Sequence, residues 1–388
     1  MQYNFDHIID RKGTYSTQWD YIADRFGRDD ILPFSISDTD FPVPQAVQTA
    51  ITKRMQHPIY GYTRWNHADY KSSIVDWFKL RNHVDINPEW ICYSPSVVWS
   101  IGTLIRLKSL PGEAVATFAP MYDAFYGVIE QNDRLLIPVR LAAADAGYGI
   151  DWDSLETVLA QPQVKVFLLT NPHNPTGKVF LKDDLTRLAD LAQQYGVFII
   201  SDDIHKDIVY EPAKYIPLTE VTQTNMMLAC SATKSFNTPG LGGAYLLLPD
   251  TELRELYLRE LKSKNALSSA SIFGITAQMA CYSADGAEYL DQLVPYLQGN
   301  FQYVKQFLAD RLPAIHFTLP EGTYLAWLNV AGLNLNSRQL QDQLVNKGHV
   351  GIMSGATYGD SHYLRMNIAC PRAKLEEGLA RLLKGVDA

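Results

Sequence analysis

The sequence predicts a doubly wound α/β domain joined to a smaller α+β domain, on three observations. From about residue 90 short apolar runs alternate with loops and amphipathic helices, the pattern of a layered α/β unit. Near residue 284 the alternation stops and a long helical stretch leads into mixed elements. The chain has 388 residues, too many for one simple core, so two domains are expected.

The elements follow in order. Residues 1–30 are polar and aromatic and predict an extended arm, a candidate for packing on a partner subunit. Residues 31–44 hold a short alternating piece and then a proline-bounded loop. Pro44 opens a helix to about 57, where proline suits the first turn. Residues 59–63 form a loop with two tyrosines, Tyr60 and Tyr62. The helix over 68–82 spaces Ile74, Trp77, Phe78 and Leu80 for a buried face. Strands are predicted over 90–93, 114–118, 134–138, 164–170, 197–201, 226–230 and 244–248. Helices are predicted from 94–98 to about 110, over 154–161 and over 181–195, with Leu185, Leu188 and Leu191 inward. After a helix over 288–312 come strands at 316–319 and 323–330, a helix from 337, strands at 349–353 and 363–369, and a last helix to 383. The domains are therefore placed at 1–44 (arm and part of the small domain), 45–284 (large domain) and 285–388 (small domain).

Composition excludes several function classes. A net charge of -8 gives no basic footprint for nucleic acid. No apolar run approaches a membrane span, and the first residues carry no signal-peptide core, so a cytoplasmic protein is expected. Cys92, Cys230, Cys281 and Cys370 are scattered without a CxxC pair, and the histidines show no ligand spacing. No metal site and no disulfide framework are expected.

The candidate site lies in the loops that follow the strands. In open α/β sheets ligands bind at the carboxyl ends of parallel strands. Five such loops carry Ser96, Tyr122, Asn174, Asp202, His205, Ser231 and Lys234. A helix N-terminus at Ser96, Val97 and Val98 suits a phosphate, helped by Ser231. Tyr122 suits stacking on a flat ring. Asp202 suits a protonated ring nitrogen, and Asn174 a ring oxygen. Lys234, just past a buried strand among small residues, suits a Schiff base with an aldehyde. Together these requirements describe pyridoxal 5′-phosphate (PLP). Each residue has a plainer reading: Asp202 as a turn cap, Asn171 and Asn174 as turn residues among prolines, Tyr122 and His205 as core packing. Those readings do not explain their joint occurrence at successive strand ends.

The motifs NPHNPTG (171–177), SDDIH (201–205), SATK (231–234) and RMNIACP (365–371) resemble the fold type I PLP enzymes of the class I/II aminotransferase superfamily. FSISDTDFPVP, IYGYT, SATKSFNTPGL, PEGTYLAWL and RMNIACPR are most similar to its MalY/PatB-type branch, the cystathionine or cysteine-S-conjugate β-lyases. The resemblance covers essentially the whole chain. It implies a large domain with a mixed, mostly parallel sheet sandwiched by helices, a smaller α+β domain, and a homodimer whose active site is shared between subunits. It further implies that Lys234 forms the Schiff base, Asp202 pairs with the ring nitrogen, Asn174 bonds the phenolic oxygen and Tyr122 stacks on the ring. Ser231 and the amides of Val97 and Val98 would hold the phosphate, with Ser96 joining them where glycine is more usual. Tyr62 would reach in from the partner subunit, and Arg365 would clamp the substrate carboxylate. Two positions depart from the aminotransferases: Gly242 where an arginine often grips the phosphate, and His205 where tyrosine is usual. Both match the lyase branch.

The resemblance thus implies α,β-elimination from L-cystathionine or another S-substituted L-cysteine, giving a thiol, pyruvate and ammonia, a task in amino-acid metabolism and methionine biosynthesis. Lys234 would be the base at Cα. The acid for the leaving group stays open between Tyr122 and water. An aminotransferase using the same residues is the alternative, and a PLP-binding regulatory protein a more distant one. The substrate pocket is expected to be lined by 34–40, by 354–358 and by the partner subunit.

Overall fold

Six segments whose residues are almost all buried build the middle of the molecule, as expected for strands covered by helices on both faces. The computed structural model describes residues 2–144 and 147–387. Its main sheet contains, in chain order, β1 (Ile91–Ser94), β2 (Ala114–Ala119), β3 (Leu135–Ala144), β4 (Gly147–Ile150), β5 (Val164–Thr170), β6 (Phe198–Asp202), β7 (Met226–Cys230) and β8 (Ala244–Leu247). Across the sheet the order is β1-β8-β7-β6-β5-β2-β3-β4. The middle pairs are parallel, with Thr117 opposite Leu168, Leu169 opposite Ser201 and Ser201 opposite Leu228. β8 runs antiparallel to both β1 and β7, so β1 points the same way as β7. The C-terminal ends of β1, β2, β5, β6 and β7 therefore open on one edge, beside the start of β8.

The helices around this sheet include α1 (Gln45–Met55), α2 (Ala68–Asn82), α3 (Val97–Lys108), α4 (Lys182–Tyr195), α5 (Ile272–Cys281), α6 (Ala284–Arg311) and α7 (Arg372–Val386). In α4 Leu185, Leu188 and Leu191 are buried as their spacing predicts, and the helix stops at Gly196, whose φ of 67° suits glycine. Ser283 caps α6 through Gly286 N, and the helix continues through Pro295. A second sheet, ordered β9-β11-β10, joins β9 (Leu325–Asn329), β10 (Met353–Ser354) and β11 (Tyr363–Asn367), all antiparallel. Arg365 stands opposite both Trp327 and Met353 in that sheet.

Four expectations need correction. The strand expected over 134–138 runs on to Ala144 and pairs with Gly147–Ile150 as a hairpin. Residues 316–319 form no strand but a single bridge, His316 to Asn329. Pro313 and Pro320 bracket that segment and have no N–H to give a ladder. The strand expected over 349–353 is split: Val350–Gly351 pairs with Leu32–Pro33, while Met353–Ser354 joins β11. Leu80, expected on the buried face of α2, is 54 % exposed, whereas Phe5 of the N-terminal arm is buried against Phe41, Tyr289 and Tyr296.

Candidate active site

Loops from five strand ends converge on a cavity of about 230 Å³. After β1, Ser96 caps α3: its Oγ accepts Trp99 N at 3.1 Å. That leaves the Val97 and Val98 N–H groups outside the intrahelical ladder, and both residues line the cavity. Ser231, after β7, also lines it, but its hydroxyl bonds Gly243 O at 2.7 Å and Thr233 Oγ1 at 3.0 Å. A hydroxyl has one proton, so in this arrangement Ser231 has none left for a ligand. Thr233, not singled out from the sequence, lines the cavity beside it. Gly242 sits at φ 71° and ψ −177°, a backbone region that an arginine side chain would strain.

Tyr122 follows β2, lines the cavity and packs edge-on against Phe125. Asn174 follows β5 and is buried; Arg365 Nη1 donates to its Oδ1 at 3.1 Å. A guanidinium can only donate, so the carboxamide oxygen must face Arg365, and the NH₂ end is left for the cavity. Gly177 closes this loop at φ 72°, where a Cβ would stand 2.3 Å from Pro320.

Asp202 ends β6. It is 4 % exposed, and its Oδ1 accepts Ile204 N at 3.2 Å. Burial pushes its carboxyl up to about 7, against the pull of the Ile204 amide and of Lys234. His205 is buried with Nδ1 lacking a protein partner, and its ring meets Tyr324 edge-on at 5.7 Å. Burial, then the charges of Lys234 and Arg365, push it down to about 3, so the imidazole is neutral. Lys234 Nζ donates to Ser37 O at 2.8 Å. Burial brings its amine down to about 8; Asp38 opposes that shift and Arg365 adds to it.

Arg365 is 4 % exposed and lies behind the cavity wall. Its guanidinium covers the Tyr358 ring at 4.2 Å, Nη2 donates to Ser35 O at 3.0 Å, and Nε has no partner. Each Nη keeps one further hydrogen, so a carboxylate can still be gripped by a fork of donors. A buried network ties the turns together. Lys206 and Asp207 pair at 2.7 Å, Trp77 Nε1 donates to Asp207 at 2.9 Å, and Ser235, next to Lys234, reaches its other oxygen at 3.4 Å. Of the residues expected at the site, Arg365 and Tyr62 are the two that do not line the cavity, and Tyr62 lies away from it. It is fully exposed and lines no part of this chain's own cavity.

The class I and II aminotransferase model matches residues 29–382. The chain belongs to that aminotransferase family. Among the family's curated members it is 41 % identical over 388 residues to Protein MalY of Escherichia coli (strain K12), covering 100 % of this chain and 99 % of that one. It is 34 % identical to the cystathionine beta-lyase PatB of Bacillus subtilis (strain 168), with 98 % of each covered. Among solved structures, a PLP-bound putative aminotransferase from Clostridium difficile 630 superposes with a TM-score of 0.96 at 33 % identity, over 99 % of this chain and 100 % of that one. The aminotransferase fold accounts for the mixed, mostly parallel sheet and the strand-end cavity.

The raised Asp202 carboxyl gives a stability test. An acid whose folded pKa exceeds its unfolded one keeps its proton longer in the folded chain. From about pH 4 to pH 7 the unfolded form is ionised while the folded form is not, so stability falls as pH rises through that window. In the cofactor-free protein, Asp202→Asn removes this loss. Its advantage over the native chain should be small near pH 4 and reach up to roughly 4 kcal/mol by pH 8. Urea midpoints across that range measure it; an advantage that does not grow with pH would show that the chain already compensates this charge.

Proposed function

We propose that this protein is a PLP-dependent carbon–sulfur β-lyase acting on L-cystathionine or related S-substituted L-cysteines. The observation that carries the reading is the buried Asp202 carboxyl facing the lowered Lys234 amine across one cavity, with the open N-terminus of α3 at the cavity's side. The residues fit the cofactor. Asp202 has no cationic hydrogen-bond partner of its own, and a ring nitrogen bearing a proton would supply one. The free NH₂ of Asn174 would hold a phenolic oxygen, Tyr122 would offer a stacking face, and the Val97 and Val98 amides would hold a phosphate. When bound, PLP supplies an aldehyde for the substrate amine and a ring that takes up the charge left at Cα.

The chain's own residues do the rest. Arg365 grips the substrate carboxylate and so orients Cα toward Lys234. Lys234, with an amine near the working pH, takes the proton from Cα. Asp202 would be ionised against the protonated ring nitrogen of the bound cofactor and would keep that ring proton in place. Loss of the thiolate from Cβ, protonated by Tyr122 or water, and uptake of one water leave pyruvate and ammonia. His205, neutral and apolar-packed, adds no charge. The lyase reading draws on the names of the relatives and on Gly242, which leaves the phosphate side without an arginine there.

The same reading divides the chain into an arm with part of the small domain (1–44), a cofactor-holding domain (45–284) and a small domain (285–388), and makes the protein a homodimer. The exposed Ile59, Tyr60 and Tyr62 support the dimer, since apolar side chains so exposed suit a partner's surface. Among the described residues no helix is long and apolar enough to cross a membrane.

An aminotransferase is the second reading, favoured by the solved structure described as one. One experiment separates them. The PLP-loaded protein is given L-cystathionine with no 2-oxo acid. Release of pyruvate and ammonia is the expected result. Release of nothing until a 2-oxo acid is added would establish the aminotransferase instead.

A further inference from the structure

Residues 35–39 cross the site as a strap that belongs to no sheet. Each of its five carbonyls accepts a side-chain donor from another part of the chain. Arg365 takes Ser35 O at 3.0 Å, and Asn367 takes Ile36 O at 2.6 Å and Asp38 O at 2.5 Å. Thr39 O accepts from Arg11 at 3.1 Å and Asn237 at 2.9 Å. Ser37 O differs, because one of its two donors is chemically reactive: Lys234 Nζ at 2.8 Å and Tyr324 OH at 2.9 Å. Held at both ends, the strap fixes this oxygen in space. Tyr324 is 1 % exposed and lies edge-on to His205, so its hydroxyl is fixed as well.

Two donors on one oxygen influence each other. A carbonyl binds an ammonium about twice as strongly as a neutral donor, so alone Ser37 O would favour the protonated lysine. The Tyr324 hydroxyl occupies a second lone pair and brings its positive end toward the same oxygen. That weakens the carbonyl's pull on a charged amine. We propose that Tyr324 is a positioning residue that acts through the Ser37 carbonyl to hold the released Lys234 amine beside the site in its neutral, proton-accepting form. The inference rests on Lys234 being the base at Cα.

Other groups face the amine from every side. Asp38 on the strap, Asp202 after β6 and Asp123 after β2 favour its charged form, and Arg365 on β11 disfavours it. His205 is neutral. Burial is the largest influence and favours the neutral amine; the three carboxylates pull the other way, and a second donor on Ser37 O adds to the side of burial and Arg365. Burial, with Asp38 nearby, keeps the Tyr324 hydroxyl protonated far above the working pH, so it donates throughout.

The test is Tyr324→Phe, which removes only the hydroxyl. In the holoenzyme with L-cystathionine, the acid limb of kcat against pH should move up by about half to one unit, since the base must lose its proton to act. On the alkaline plateau kcat and KM should stay within about twofold of the native enzyme, and the visible spectrum of the bound cofactor should be unchanged. A second readout needs no turnover. The full chain is stripped of PLP, and the rate at which added PLP regains its bound absorbance is followed against pH. Only the neutral amine reacts, so this profile should shift upward by the same amount. A limb that stays in place or moves down, or an equal loss at every pH, would overturn the proposal. Lys234→Ala separates the two readings. If that variant turns over, Lys234 is not the base; if it is dead while the Tyr324→Phe profiles stay put, only the role of Tyr324 falls.

Discussion

Lys234→Ala is expected to lower turnover of L-cystathionine by more than about 10⁴-fold, because proton transfer by a placed base alone contributes about 10²–10⁴. Lys234 is the one lysine that lines the cavity among the described residues. Its amine is brought down to about 8, so near that pH about half of it is neutral, against under about 1 % for an ordinary lysine. No neighbour can stand in. His205 is neutral but held against Tyr324, and Asp202 already accepts the Ile204 N–H. The loss should be in kcat, with the variant still able to bind PLP non-covalently. Borohydride reduction followed by mass spectrometry should attach the cofactor to the Lys234 peptide of the native chain and to nothing in the variant. Native-like turnover in Lys234→Ala would sink the assignment.

Arg365→Ala should cost kcat/KM about 2–5 kcal/mol, or roughly 30-fold to a few thousand-fold, the usual range for truncating one partner of a buried charged pair. The variant would lose the fork proposed for the substrate carboxylate and also frees Asn174 Oδ1 and Ser35 O, which Arg365 now holds. Arg365→Lys should recover little, because one ammonium cannot replace a planar fork that also stacks on Tyr358. Every S-substituted cysteine carries the same carboxylate. The fall should therefore be equal across a series of such substrates. A fall confined to one substrate would place Arg365 at the side-chain end of the pocket and contradict the clamp.

Much of the fold was legible because buried parallel strands leave a strong local signature. Apolar runs such as 164–170 and 226–230 have few readings other than strands, and helix α4 shows its inward leucines at regular spacing. The elements that failed are those whose pairing is set from far away. The short strands at 350–351 and 353–354 differ in partner, one taking Leu32–Pro33 and the other β11, and no local pattern announces that division. Residues 316–319 alternate like a strand, yet find only one partner residue.

The site divides along the same line. The sequence by itself determined which residues stand at the ends of the strands: Ser96, Tyr122, Asn174, Asp202, His205, Ser231 and Lys234. Their chemistry follows from residue type, and their shared edge follows from strand direction. Only the tertiary structure decided how they are used. It turned the Asn174 amide by setting Arg365 against its oxygen, committed the Ser231 hydroxyl to Gly243, and left Tyr62 outside the chain's own cavity. It also brought Ser37 and Tyr324, which are 287 residues apart, together, so that the Ser37 carbonyl takes both the Tyr324 hydroxyl and the Lys234 amine. The physical reason is range. Strand and helix signals come from neighbours along the chain. A hydrogen bond or a pKa depends on whichever groups the fold brings within a few ångströms, and that is written in no local stretch of the sequence.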